Sequence, residues 1–254
     1  MAITKVTSSV LDVDIPAYKA FGSDSIMIGD TTTGTIDAAN FNVGLGVNVF
    51  AALTSGDDNV AVGYGALTAN TTGSDNVAIG KVALDANTTA SNNTAVGNAS
   101  MTANTTGASN TAVGSSSLNA NTVGSSNVAI GHDSLTTNIG GNRVTAIGDS
   151  AFNALNHASS TNNYGVAIGF EAGRLVTTGL QNTIIGGQSG YDLTTGSRNV
   201  AVGYAALYDA TTSSDNTAVG ANTLQLNTTG TYNVALGTYA LDANTTASNN
   251  TAVG

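Results

Sequence analysis

A pentapeptide of the form Asn-(Val/Thr)-Ala-(Val/Ile)-Gly recurs along nearly the whole chain, and its closing glycine returns every seventeen residues. These glycines stand at Gly29, Gly46, Gly63, Gly80, Gly97, Gly114, Gly131, Gly148, Gly169, Gly186, Gly203, Gly220, Gly237 and Gly254, with one longer step of twenty-one residues from Gly148 to Gly169. A short fixed period means that each repeat is one turn of chain that buries its apolar residues only by stacking on its neighbours, which is the logic of a solenoid. Function must then be sought on a repeated surface and in departures from the repeat.

Composition agrees with thin, regularly stacked layers. The 254 residues are only 5% aromatic and lack Trp, so a conventional bulky core is not built, while 41% hydrophobic content against 9% charged residues does not fit the disordered class. The formal charge of −10 repels nucleic acid, and no nucleic-acid partner is expected. There is no cysteine for disulfides or thiolate metal sites. Neither a signal-peptide core nor a run of eighteen apolar residues occurs, so the chain as given is read as neither secreted by that route nor inserted in a membrane.

Within one repeat, Val60 and Val62 point to one side of a strand and Ala61 to the other. The same holds for Val77, Ala78 and Ile79, for Val128, Ala129 and Ile130, and for Val200, Ala201 and Val202. A single-chain coil has one interior, so a strand apolar on both sides needs a second dry surface, most simply another copy of the chain; a homo-oligomer is expected. Asparagine precedes the strand at Asn42, Asn59, Asn76, Asn93, Asn110, Asn127, Asn182, Asn199, Asn216, Asn233 and Asn250. A corner amide that bonds backbone and its stacked copies explains this row better than a sugar-binding stripe. The closing glycine supplies the opposite corner, where Cβ is excluded.

Four residues past the glycine lies an apolar slot held by Phe50, Leu67, Leu84, Met101, Leu118, Leu135, Phe152, Leu207, Leu224 and Leu241, read as the interior plug. Two coils put Gly173 and Gly190 there instead, with Leu175 and Leu193 slightly downstream, and these coils are expected to turn differently around a rearranged core. Thr pairs such as Thr71-Thr72, Thr88-Thr89 and Thr105-Thr106 are adjacent rather than alternate, which argues against a flat ice-binding face and for turn hydroxyls with satisfied bonds. Asn70-Thr71-Thr72 and its copies match the glycosylation sequon as a by-product of the repeat. The four extra residues around 156–163 should bud from one corner, leaving the stack intact on either side; they read first as a tolerated neutral insertion, and if any site on the shaft touches a ligand this loop is the candidate, while His157 and His132 each lack a second His at ligand spacing.

No catalytic grouping, cofactor motif or metal site is assigned. Glu171 is the only glutamate, and the aspartates, such as Asp58, Asp75, Asp133 and Asp215, are scattered at corners rather than paired across a cleft. The chain is read as non-enzymatic.

Asn127-Val128-Ala129-Ile130-Gly131 resembles the strand segment of the head repeats of YadA-type trimeric autotransporter adhesins. Over about residues 25–254 the resemblance implies a left-handed parallel β-roll assembled as a tight trimer, although the seventeen-residue coil exceeds the family's shorter repeat. Segments such as 59–72 and 169–190, and the opening Met-Ala-Ile-Thr-Lys-Val-Thr, are similar to phage fibre and tail-fibre proteins. The fold expectation is therefore an all-β parallel solenoid of 17-residue coils in a homotrimeric fibre, with residues 1–22 attaching it to a virion baseplate, tail or capsid and residues 23–254 forming the shaft. The expected function is a virion fibre holding a host-recognition tip; the alternative is a bacterial surface adhesin whose own flank binds host glycan. Residues 240–254 duplicate residues 83–97, and the chain stops on a strand motif without a polar cap, so it is expected to continue.

Overall fold

The computed structural model describes residues 17–21, 25–29 and 38–254. The chain winds into a parallel β-solenoid of about 13 coils, and no helix occurs among the described residues. Each Val/Thr-Ala-Val/Ile segment forms one short strand per coil. Strands meet their successors in register, with Val60, Ala61 and Val62 opposite Val77, Ala78 and Ile79, and so on along a 15-stranded sheet. One pair is antiparallel: β1 (Ala17–Phe21) lies on the outer edge of β2 (Ser25–Gly29). The proposed attachment segment otherwise falls on residues outside those described.

The interior is built from few positions. The strand alanine (Ala61, Ala78, Ala95) and the plug residue four beyond the glycine (Leu67, Leu84, Met101) are buried throughout most of the stack. The plug residues adopt a left-handed backbone, with φ of 51° at Leu67 and Leu84. Such a conformation costs an L-residue about 1–2 kcal/mol, while complete burial of a leucine returns about 1.5–3 kcal/mol, so the strained turn is retained because it drives the side chain inward. Two further positions per coil share this geometry, including the β-branched Val82 with φ of 52°.

The closing glycines are required twice over. Gly63 has φ of 129°, and a Cβ there would lie 2.5 Å from the carbonyl oxygen of Gly80 on the next coil. From Gly46 to Gly237 the nearest atom to such a Cβ is backbone of the next closing glycine, which cannot move aside as a side chain could.

The asparagine ladder is present and satisfied. Asn76 donates both its backbone N–H and its Nδ2–H to Asn59 Oδ1, each at 3.0 Å, and Nδ2 also donates to the Ala90 carbonyl at 2.9 Å. A buried amide has two donors and two lone pairs, and at Asn59 all four are used: Nδ2 donates to Asn42 Oδ1 and the Gly73 carbonyl, and Oδ1 accepts both bonds from Asn76. Aspartate lacks the donors, and leucine leaves the corner backbone groups without partners.

A second ladder escapes the sequence reading. Asn70, Asn87, Asn104 and Asn121 are also fully buried, and Asn87 Nδ2 donates to Asn70 Oδ1 at 2.9 Å while Asn104 Nδ2 donates to Asn87 Oδ1 at 3.1 Å. Where the same position carries Leu53, Leu155, Val176 or Leu193, the interior is apolar instead. The sequon asparagines are therefore structural amides with their Nδ2 atoms engaged.

The expectation that the Gly173 and Gly190 coils turn differently is overturned. Their φ values of 59° and 54° match those of the leucines they replace, and Gly173 N–H donates to the Ser189 carbonyl at 2.9 Å as Leu67 N–H does to Ala83 at 3.1 Å. What changes is the filling. Ile184 replaces the strand alanine, and its Cδ1 lies 3.0 Å from a Cβ built on Gly173 and 3.1 Å from one built on Gly190. One side chain on the strand occupies space that elsewhere is filled from the turn. Leu193 points inward as expected, but Leu175 is exposed and Val176 takes the buried position.

Candidate functional site

Three surfaces depart from a plain polar coat. The first is the outer face of the sheet. With Ala61 inward, Val60 and Val62 face outward and half-exposed, and the column before the closing glycine is aliphatic in every described coil, through Leu45, Ile79, Ile130, Ile168 and Leu236. Stacking at about 4.8 Å per coil makes this an uninterrupted strip about 60 Å long.

The second is the insertion. The stack passes it without a slip, because Thr145, Ala146 and Ile147 pair directly with Val166, Ala167 and Ile168. Thr161–Asn162 forms a small parallel pairing with Gly141–Asn142, so the loop is tied to its neighbour. The ladder position here is Gly165, and Asn163 reaches into the same corner to replace the missing amide. Its Oδ1 accepts from Gly165 N–H at 2.7 Å and its Nδ2 donates to the Gly179 carbonyl at 2.9 Å. Those two backbone bonds orient the amide, so its other Nδ2–H points to His157 Nε2, 3.0 Å away. His157 is only 8% exposed, burial holds its pKa below the ordinary imidazole value, and Nε2 must accept; the proton belongs on Nδ1. The histidine is a structural member of the corner. Outside it, the Arg143 guanidinium bonds Asn162 Oδ1 and sits 5.6 Å over the Tyr164 ring.

The third lies on the coils that begin at Gly169, Gly186 and Gly203. Glu171 Oε1 pairs with Arg174 Nη1 at 3.2 Å, Gln188 Nε2 donates to Glu171 Oε2 at 3.1 Å, and Tyr204 Oη donates to Gln188 Oε1 at 3.3 Å. Arg174 Nη1 also donates to Tyr191 Oη at 2.6 Å, and Tyr191 stacks on Tyr208 with centroids 5.1 Å apart. Asp192 lies alongside, its pKa raised by burial and by the nearby Asp209 carboxylate. The lone glutamate was visible as a singularity in the sequence. Its partners were not, because the contacts run between coils rather than along the chain.

The remaining candidates are dispersed. His132 lies 3.6 Å from Asp133 and 3.4 Å from Asp149 on the surface. Asp215 is held below the usual carboxylate range by its hydrogen bonds to Arg198, at 2.6 and 2.8 Å. The first threonine of the pairs from Thr71 to Thr228 is a satisfied turn hydroxyl, with Thr71 Oγ1 donating to the Thr88 carbonyl at 2.9 Å, while the second, such as Thr72, is exposed. Among the described residues no group of three or more His, Cys, Asp or Glu side chains is placed to hold a metal ion, and no helix is long and apolar enough to cross a membrane. No family model, curated protein or solved structure matches the chain.

Proposed function

We propose that the chain is the shaft of a non-enzymatic fibre: a homotrimeric, left-handed β-roll that projects a host-recognition tip from a virion, with residues 1–22 as its attachment segment. The observation that carries this reading is the unbroken aliphatic column before the closing glycines, from Leu45 to Val253, beside an outward column shared by valine and threonine such as Val60, Val77, Thr94 and Thr111. The three-residue strands give an outer face about 60 Å long and about 10 Å wide, about 600 Å² per protomer, the lower end of what a specific protein interface buries on each side. Water is a poor neighbour for such a strip, and identical copies present the same strip at the same axial repeat.

Light scattering on the purified chain tests the assembly, with a trimer expected; a folded monomer contradicts it. Ile130→Asp and Val202→Asp place charges on the outer face, away from the interior, and should release monomers that keep their β-sheet circular dichroism. Mass spectrometry of particles from the source virus tests the virion assignment. The second reading, a cell-surface adhesin with a binding flank, is favoured by the Glu171, Gln188 and Tyr204 network, since a plain spacer has no need of it.

A further inference from the structure

We propose that the outer flank of the Gly169 to Gly203 coils carries a binding site for a neutral hexopyranose, with Tyr204 as its platform. Tyr204 occupies the position just past the closing glycine. On the preceding coil that position is Gly187, and a Cβ built on it would lie 3.7 Å from Tyr204 Cδ2. The ring therefore packs within ordinary contact distance of Gly187, and its hydroxyl is anchored on Gln188 Oε1 at 3.3 Å. The residue remains 59% exposed. One coil beyond Gly187, Phe170 occupies the same position and is 55% exposed, so two aromatic rings stand about 9.6 Å apart along the axis.

Sugar chemistry suits this arrangement. One face of a hexopyranose presents C–H groups with slight positive charge, which pack on the negative face of an aromatic ring. Its hydroxyls need planar donors and acceptors at the rim, and Gln188 retains one N–H while Tyr204 Oη retains its acceptor capacity. Glu171 and Arg174 neutralise each other and hold Gln188 in place. Asp192 and Asp209 leave the surroundings negative, which disfavours sialylated, sulfated or phosphorylated sugars. Tyr204 lies beyond the turn at Gly203, beside the aliphatic strip rather than on it.

The inference rests on the flank remaining open in the assembled fibre. The test is a glycan array on the 254-residue chain carrying neutral hexose, sialylated and sulfated oligosaccharides, followed by calorimetric titration with the best neutral ligand. Tyr204→Ala and Gln188→Ala should each weaken binding, the first by about tenfold or more. The control is Tyr64→Ala: Tyr64 holds the same position in its coil and is 54% exposed, but it follows Val47 rather than a glycine, and its loss should leave affinity unchanged. Absence of neutral-sugar binding, preference for anionic sugars, or retention of affinity by both Tyr204→Ala and Gln188→Ala overturns the site. Light scattering on the same samples separates the outcomes: a trimer without sugar binding removes the site alone, and a sugar-binding monomer removes the trimeric shaft alone.

Discussion

Replacing Ile184 by alanine should open a void that neither adjoining coil can close. Ile184 is fully buried, and the two turn positions facing it are Gly173 and Gly190, which have no side chain to relax inward. The three lost carbons remove about 2.4 kcal/mol of transfer free energy at ~0.8 kcal/mol each. A residual cavity on the order of 60 Å³ adds about 1.5 kcal/mol, for a total of about 4 kcal/mol, toward the upper part of the usual isoleucine-to-alanine range. The structure also predicts which second substitution repairs the damage. The three atoms nearest a Cβ on Gly190 all belong to Ile184, so Ile184→Ala/Gly190→Leu recreates the Ala201 and Leu207 arrangement of the next coil and should recover about 1–2 kcal/mol after the strain of a left-handed leucine. Gly173→Leu should not rescue, because its Cβ would still meet Phe152 Cε1 at 2.7 Å. Because solenoid stability is carried between nearest neighbours, urea titration should be paired with hydrogen exchange at the Thr183–Ile185 strand. Equal rescue from Gly173 and Gly190, or none from Gly190, would refute the idea that strand and turn share one interior volume.

Three further outcomes follow from other parts of the stack. Val82→Gly should stabilise the protein by about 1 kcal/mol, reversing the usual effect of glycine, because Val82 sits at φ 52° where a β-branched residue is strained; a fall in melting temperature would contradict this. Asn76→Asp should destabilise by about 3 kcal/mol or more, since it buries a carboxylate beside Asn59 Oδ1 and removes both donors, and denaturant titration against Asn76→Ala shows whether charge adds to the lost bonds. The folded-state pKa of His157 is lowered, so its contribution is complete above the unfolded value of 6.5 and is lost as pH falls through the lower folded value. Protonation would set Nε2–H against the Asn163 amide, so exchange protection at Gly165 should fall on acidification and persist in His157→Gln, while unchanged protection in the wild type would remove the coupling.

The residues that escaped sequence reading share a cause. Asn163 lies two residues away from the ladder position it serves, and nothing local marks it; the acceptor at Gly179 becomes its neighbour only after the coil closes. Asn70 and Asn87 stand out in the sequence only as members of the repeated Asn-Thr-Thr sequon, yet both are fully buried in the interior. The left-handed leucines were hidden for a different reason. Propensity assigns that conformation to glycine, and burial of the plug overrides it.

What the amino-acid order determines by itself is the period and its obligations: one strand per coil, glycine where neighbouring backbones touch, asparagine where a corner must be bonded across coils, and aliphatic residues on both sides of the strand. These are legible because each is a one-residue requirement repeated at a constant interval. Only the tertiary structure decides how Ile184 compensates two glycines, how Asn163 replaces a missing rung, and how Glu171, Gln188 and Tyr204 become one surface. The asparagine and Glu171 relations join residues sixteen or seventeen positions apart, which winding the chain brings into contact across about 4.8 Å, while Ile184 meets its two glycines from the turns on either side.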